Sequence, residues 1–217
     1  MHLPTTKHMK LKFLTPVILL CAAISFKAQA QTNRPDKLYS MSGIGFSFPM
    51  GETTDYFKPK FSTSLGINLG LGNSGLFLYP KASLHAFTFN QITPDPGFAY
   101  TVQKGRSTTY LLNVALGYRK IVNKWAFYGF AGAGGGFILT PQAGVNTTTM
   151  QVNMDNRSNA LGIAEGGGGI EYNLGGANLF VEASYMYGFK KIQDRTFNTV
   201  PISIGIKPNL SKLLNKL

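Results

Sequence analysis

Residues 61–71 read FSTSLGINLGL, and their alternation decides the fold. Phe61, Thr63, Leu65, Ile67, Leu69 and Leu71 fall on one side, with Ser62, Ser64, Gly66, Asn68 and Gly70 between them. A helix would scatter these apolar residues around its circumference, whereas a strand gathers them on one face because its side chains point alternately to the two sides. The segment therefore predicts a strand with one apolar and one polar face. The same period recurs along the chain. Tyr110, Leu112, Val114, Leu116 and Tyr118 alternate with Leu111, Asn113, Ala115, Gly117 and Arg119. Leu179, Val181, Ala183, Tyr185, Tyr187 and Phe189 form a third such face, and Val200, Ile202, Ile204 and Ile206 a fourth. Weaker versions span 38–48, 76–89, 125–138 and 160–172. The last two are glycine-rich, and the facing of 125–138 is ambiguous. The sequence thus predicts eight strands.

The connections between them are sorted by length. Residues 50–60, 91–107 and 139–159 are long and polar, while Gly72–Gly75, Val122-Asn123-Lys124 and Gly175-Gly176 are tight turns with the residues that such turns require. When neighbouring strands follow one another around a ring, every second connection lies at the same rim. All the short turns then share one end and the long loops the other, as in outer-membrane barrels. The expected fold is an all-β, eight-stranded antiparallel up-and-down transmembrane β-barrel with a polar, glycine-rich lumen, over residues 38–207.

The N-terminus carries a different signal. Lys7, Lys10 and Lys12 precede an apolar run from Phe13 to Phe26, which is followed by Ala28-Gln29-Ala30. This is the order of a secretory signal peptide, with small residues at the positions before cleavage, and the run is too short to span a membrane as a helix. Residues 1–30 are read as the signal peptide, with translation starting at Met1 or Met9 and the mature chain at Gln31. Residues 31–37 then form an N-terminal segment and 208–217 a C-terminal tail. Residues 1–30 hold four lysines and no acid, so the net charge falls from +12 to +8 on processing. The remaining charges are scattered, which suits contact with anionic lipid and gives no basis for nucleic-acid binding. Cys21 lies within the leader, so the mature chain has no thiol chemistry.

Stretches such as 61–71, WAFYGFAGAG at 125–134 and the strand ending in Ile206 resemble the small outer-membrane β-barrel domains of the OmpA/OmpX type. The resemblance is architectural and implies a bacterial outer-membrane location. Members of that class commonly finish on a terminal aromatic. This chain instead continues past Pro208 with Leu210, Leu213, Leu214 and Leu217, a pattern that predicts a short amphipathic segment under the barrel.

An eight-stranded barrel is just wide enough for side chains to fill it. The polar faces place Lys81, Arg119, Glu165, Glu171 and Glu182 in the lumen. Lys81, Arg119, Glu171 and Glu182 count into the half nearer the short turns and form a predicted structural cluster. Lys81 and Glu182 come from strands expected to face each other across the barrel. An unpaired buried charge costs several kcal/mol, so these groups should pair. His85 is the only mature histidine, with Ser83 two residues away on the same face. Some outer-membrane barrels are lipid A deacylases with a His/Ser/acid set, so Ser83, His85 and Glu165 form the enzymatic alternative. The inward facing of these residues argues against it, because such an enzyme must present its nucleophile to lipid. The glycine runs at 132–136 and 166–169 lack the Lys-Ser/Thr and the helix of a phosphate loop. No cofactor or metal site is expected. The primary expectation is a non-enzymatic, monomeric scaffold whose partners are outer-membrane lipid and a surface partner of its external loops. A secreted, lipocalin-like binder of apolar ligands is a further alternative, and it requires the apolar faces to point inward.

Overall fold

The structure is a computed structural model that describes residues 37–94, 100–146, 148–149 and 151–211. The leader, its cleavage positions Ala28, Ala30 and Gln31, and the leucines of the tail beyond Ser211 lie outside the described residues. Eight strands follow in chain order: β1 (Leu38–Pro49), β2 (Phe57–Leu71), β3 (Leu76–Phe89), β4 (Gly105–Val122), β5 (Trp125–Asn146), β6 (Gln151–Asn173), β7 (Ala177–Ile192) and β8 (Arg195–Pro208). Each pairs antiparallel with its neighbour, and β1 pairs with β8, so the sheet closes into a barrel. Closure leaves no sheet edge within the membrane band, where an unpaired backbone group would have no water to bond.

The alternation read in residues 61–71 has a physical consequence. Leu65 and Ile67 face outward and are 60% and 42% exposed, whereas Ser64 and Asn68 are buried inside. The same sorting holds on β4, where Leu112, Val114 and Leu116 face out and Leu111, Asn113 and Ala115 face in. The exterior therefore carries aliphatic side chains between two levels of exposed aromatic rings. Tyr110 and Phe137 mark one level, their ring centroids 5.2 Å apart, and Tyr118, Trp125 and Phe127 mark the other. Tyr110 and Tyr118 are eight residues apart on β4. At about 3.3 Å per residue and a tilt of about 40°, they are separated by roughly 20 Å along the barrel axis, close to the apolar band of an outer-membrane barrel. Apolar side chains out and charges in is the reverse of what a lipocalin-like binder needs.

The facing of β5 could not be read from its glycines. Here Tyr128, Phe130 and Ile138 point inward, and Trp125, Phe127 and Phe137 point out. Glycine makes room for the inward rings: a Cβ at Gly117 would run into the Phe77 ring, and one at Gly169 into Tyr128.

One connection differs from expectation, and the last, between β7 and β8, departs from the sorting by length. Residues 139–159 are not an irregular loop: β5 and β6 pair as far as Asn146 and Gln151, forming a hairpin that stands above the rim. Its polar residues disguised it: the β6 arm is exposed on both faces from Gln151 to Ser158, although the β5 arm buries Thr140, Pro141 and Ala143. Residues 190–199 close in a two-residue turn at Gln193-Asp194, with φ of 52° and 62°. Positive φ at both positions matches the twist of a hairpin, although Gln-Asp lacks the usual Asn-Gly signature. The two ends of the barrel chain meet at the short-turn rim, where Ser211 Oγ accepts from the Lys37 and Leu38 amides and Tyr39 bridges to Asn209.

Candidate functional site

Reading the lumen face of β3 from the short turns upward gives Phe77, Tyr79, Lys81, Ser83, His85, Phe87 and Phe89. That order describes the whole interior: an ionic layer, a small polar layer, then an apolar plug.

Among the described residues, the ionic layer pairs three glutamates with two lysines and an arginine. Lys81 Nζ lies 2.5 Å from Glu165 Oε1 and 3.4 Å from Glu182 Oε1. β3 and β7 do stand opposite each other in the ring, but Glu165 on β6 is the nearer partner. Glu165 also accepts from Ser184 Oγ at 2.6 Å and from the Asn113 side-chain amide. Glu182 accepts from the Tyr128 hydroxyl at 2.8 Å and the Tyr79 hydroxyl at 3.2 Å. Below this, Glu171 Oε1 is shared by Lys207 Nζ at 2.9 Å and Arg119 at 3.0 Å, while Asn178 donates to Oε2. Lys207 also sits 4.0 Å from the centroid of Tyr128, over the ring face. Positive and negative charges balance across the layer, and Tyr128 links its two halves. A balanced, hydrogen-bonded set is the arrangement in which buried charge is tolerable.

The cluster predicted from the sequence, Lys81, Arg119, Glu171 and Glu182, is brought together with Glu165. Lys207 was missing from that set. The alternation of β8 places it inward, but it lies one residue before Pro208, at the very end of the strand. The tyrosines Tyr79 and Tyr128 were also missed. Tyr128 belongs to β5, whose facing the glycines concealed.

Ser83, His85 and Glu165 do not assemble into a hydrolytic set. His85 Nε2 is 3.1 Å from Ser83 Oγ, but Nδ1 is 2.8 Å from Ser62 Oγ, where a catalytic arrangement needs a carboxylate. Glu165 is engaged by Lys81, Asn113 and Ser184 instead. His85 is only 1% exposed, and the side chain points away from lipid. Among the described residues, no group of acidic, histidine or cysteine side chains could hold a metal ion.

Above His85 the lumen is apolar rather than polar. Phe57 stacks on Phe87 at 5.0 Å and meets Phe197 edge-on at 6.2 Å; Leu111, Ile138, Leu161, Ile163 and Met186 pack in the same cluster. The expected polar, glycine-rich lumen therefore does not describe the upper half, and in the lower half Met41, Phe77, Phe130 and Phe180 pack among the charges. Phe57 precedes the stretch read as strand, and Leu111 of β4 and Leu161 and Ile163 of β6 are apolar residues on a face otherwise read as polar.

A closed barrel of eight antiparallel strands, apolar outside and filled inside, is the fold of the small outer-membrane β-barrels of the OmpA/OmpX type. The chain is similar to the crystal structure of Neisserial surface protein A, NspA, with a TM-score of 0.57 and 10% identity over 79% of this chain and 96% of that one. Matches also reach Ail, the attachment invasion locus protein of Yersinia pestis, at a TM-score of 0.42 and 17% identity over 79% of this chain and 99% of that one. The N-terminal barrel domain of Pseudomonas aeruginosa OprF matches at a TM-score of 0.39 and 12% identity, over 79% and 98%. No protein-family model matches the chain, and no curated protein matches it by sequence.

Proposed function

We propose that this protein is a non-enzymatic scaffold of the bacterial outer membrane that presents its long-loop rim to the cell exterior. The observation that carries this reading is the contrast between surface and interior. The exterior suits lipid, and the lumen is filled by a balanced ionic layer beneath an aromatic plug, leaving the rim for molecular contacts. Lys81, Arg119, Glu165, Glu171, Glu182 and Lys207 act as a structural plug that holds the strands in register. Export would begin with cleavage between Ala30 and Gln31, after the small residue Ala28, which N-terminal sequencing of envelope protein would test. The rim either reinforces the envelope or contacts a surface partner, and the barrel acts as a monomer with outer-membrane lipid as its main partner.

The test against the enzymatic alternative compares lipid A acyl patterns. Deletion of the protein, Ser83→Ala and His85→Ala should all leave the pattern of the parent strain. A pattern that changes on deletion and on His85→Ala would replace the scaffold reading with a lipid-modifying one.

A further inference from the structure

The pairing of β6 with β7 stops at Ile163 and Gly188, but both strands continue upward. β6 follows β5 to the tip of the tall hairpin, while β7 turns into β8 at Ile192 and Arg195. Between the diverging strands lies a cavity of about 410 Å³. Buried Phe89 and Ile192 contribute to its lining, and Thr140 and Asn159 add a hydroxyl and an amide. Gln193 fixes another side: its Oε1 accepts from the Ile92 amide at 2.7 Å, and its Nε2 donates to the Thr93 carbonyl at 3.2 Å.

The charges at this cavity are unlike those of the ionic layer, because they do not cancel. Lys190 and Lys191 line it against a single carboxylate, Asp194, so the lining keeps an excess of positive charge even before Arg157 is counted. Of the other acids of this rim among the described residues, Glu52 is held by Thr196 but also feels the Lys191 charge, Asp55 pairs with Arg195 at 3.0 Å, and Asp155 lies outside the lining; Lys190 and Arg157 keep the balance positive. The height of the cavity is also defined. Tyr187 and Phe189 expose adjacent rings on the outer face, 5.9 Å apart, and Lys190 is the next residue. Exposed aromatics mark the membrane interface, so Lys190 and Lys191 sit at the level of lipid headgroups.

We propose that the β6–β7 cleft is a binding site for a phosphate monoester, carried by a lipid headgroup or by a soluble phosphosugar. Such a group bears a charge of about −1.5 to −2 at neutral pH and three strong acceptor oxygens, which match a positively charged lining with hydroxyl and amide donors alongside. The proposal deepens the reading of this rim as the contact surface, but its test does not depend on cellular location.

The probes are glucosamine 1-phosphate, titrated into the refolded full chain in zwitterionic micelles, and nanodiscs of phosphatidylcholine with or without phosphatidic acid. The readout is the amide NMR shifts of Asn159 and residues 190–194. Saturable shifts confined to the cleft are expected, weakened about tenfold or more by Lys190→Ala with Lys191→Ala. Lys58→Ala with Lys60→Ala, which removes two exposed cations outside the lining, should leave them unchanged. A response to phosphatidic acid alone assigns the source to lipid, a response to the sugar phosphate alone assigns it to a soluble ligand, and a response to both supports the shared chemistry. The proposal is overturned if neither probe shifts the cleft, if the Lys58 and Lys60 substitutions weaken binding equally, or if an acidic peptide binds where neither phosphate does.

Discussion

Lys207 of β8 holds its ammonium 2.9 Å from Glu171 Oε1 on β6, fully buried, although its strand ends one residue later. The contact joins two strands that are not neighbours. Phe180 of β7, the strand between them, places its ring centroid 4.8 Å from the same ammonium. The end of β8 is thereby tied to the interior of the barrel.

Removing one member of a buried pair leaves the other charge uncompensated, at a cost of about 3–5 kcal/mol. Arg119 still pairs with Glu171 when Lys207 is lost, so Lys207→Met should destabilise the barrel by less than that full amount in urea titrations of protein refolded into vesicles. Glu171→Gln also strands Arg119, so the pairing predicts non-additivity: Glu171→Gln should cost less in the Lys207→Met background than in the parent. Additive losses in the double variant would show that the two groups do not act as a pair.

The tall β5–β6 hairpin predicts sidedness. A protease site inserted between Asn146 and Gln151 should be cut in intact cells, and one inserted at Gly72–Gly75 should be protected, since the two lie at opposite rims. Protection of the hairpin with cleavage at the short turn would invert the orientation.

Much of this fold was legible because lipid and a narrow lumen impose opposite demands on alternate residues. Leu65 and Asn68 report their facing directly. The readings that failed lie where that contrast is missing. β5 carries small residues on both faces from Gly132 to Gly136 and large apolar side chains on both faces at either end of that run, so its facing could not be read from apolar character alone. The upper part of β6 is wet on both sides and looks like loop. The lumen plug was missed because Phe57, Leu111 and Leu161 are apolar residues pointing inward, against the rule that identified the other faces. The ionic cluster was legible as a set of inward charges, but its pairing required the register that brings Glu165 closer to Lys81 than Glu182 is.

The 3-10 turn at Gly51–Asp55 predicts a pH dependence at the long-loop rim. Glu52 accepts from the Thr196 amide at 3.0 Å and from its hydroxyl at 3.1 Å, and these bonds, the backbone one first, hold its carboxyl below the usual carboxylate value of 4.5. A lowered folded-state value means that the contact stabilises the rim fully above the ordinary value and is lost as pH falls through the folded one. Hydrogen exchange at the Thr196 amide should accelerate, after correction for intrinsic rates, as the pH is lowered through that window. Glu52→Gln should abolish the dependence. Protection that is unchanged across the window would remove Glu52 as the anchor.

If lipid is the solvent of the outer face, the cost of a charge there must depend on depth, and β4 tests this directly. Val114 lies midway between Tyr110 and Tyr118, while Val122 is exposed at the short-turn end. Arginine costs about 2–4 kcal/mol at the midplane of a bilayer and roughly 0–1 kcal/mol near its interfaces. The measurement is urea-dependent refolding of Val114→Arg and Val122→Arg into lipid vesicles. A loss of about 2–4 kcal/mol is expected for Val114→Arg and at most about 1 kcal/mol for Val122→Arg. Equal costs at the two depths, or a harmless Val114→Arg, would contradict a lipid-facing exterior.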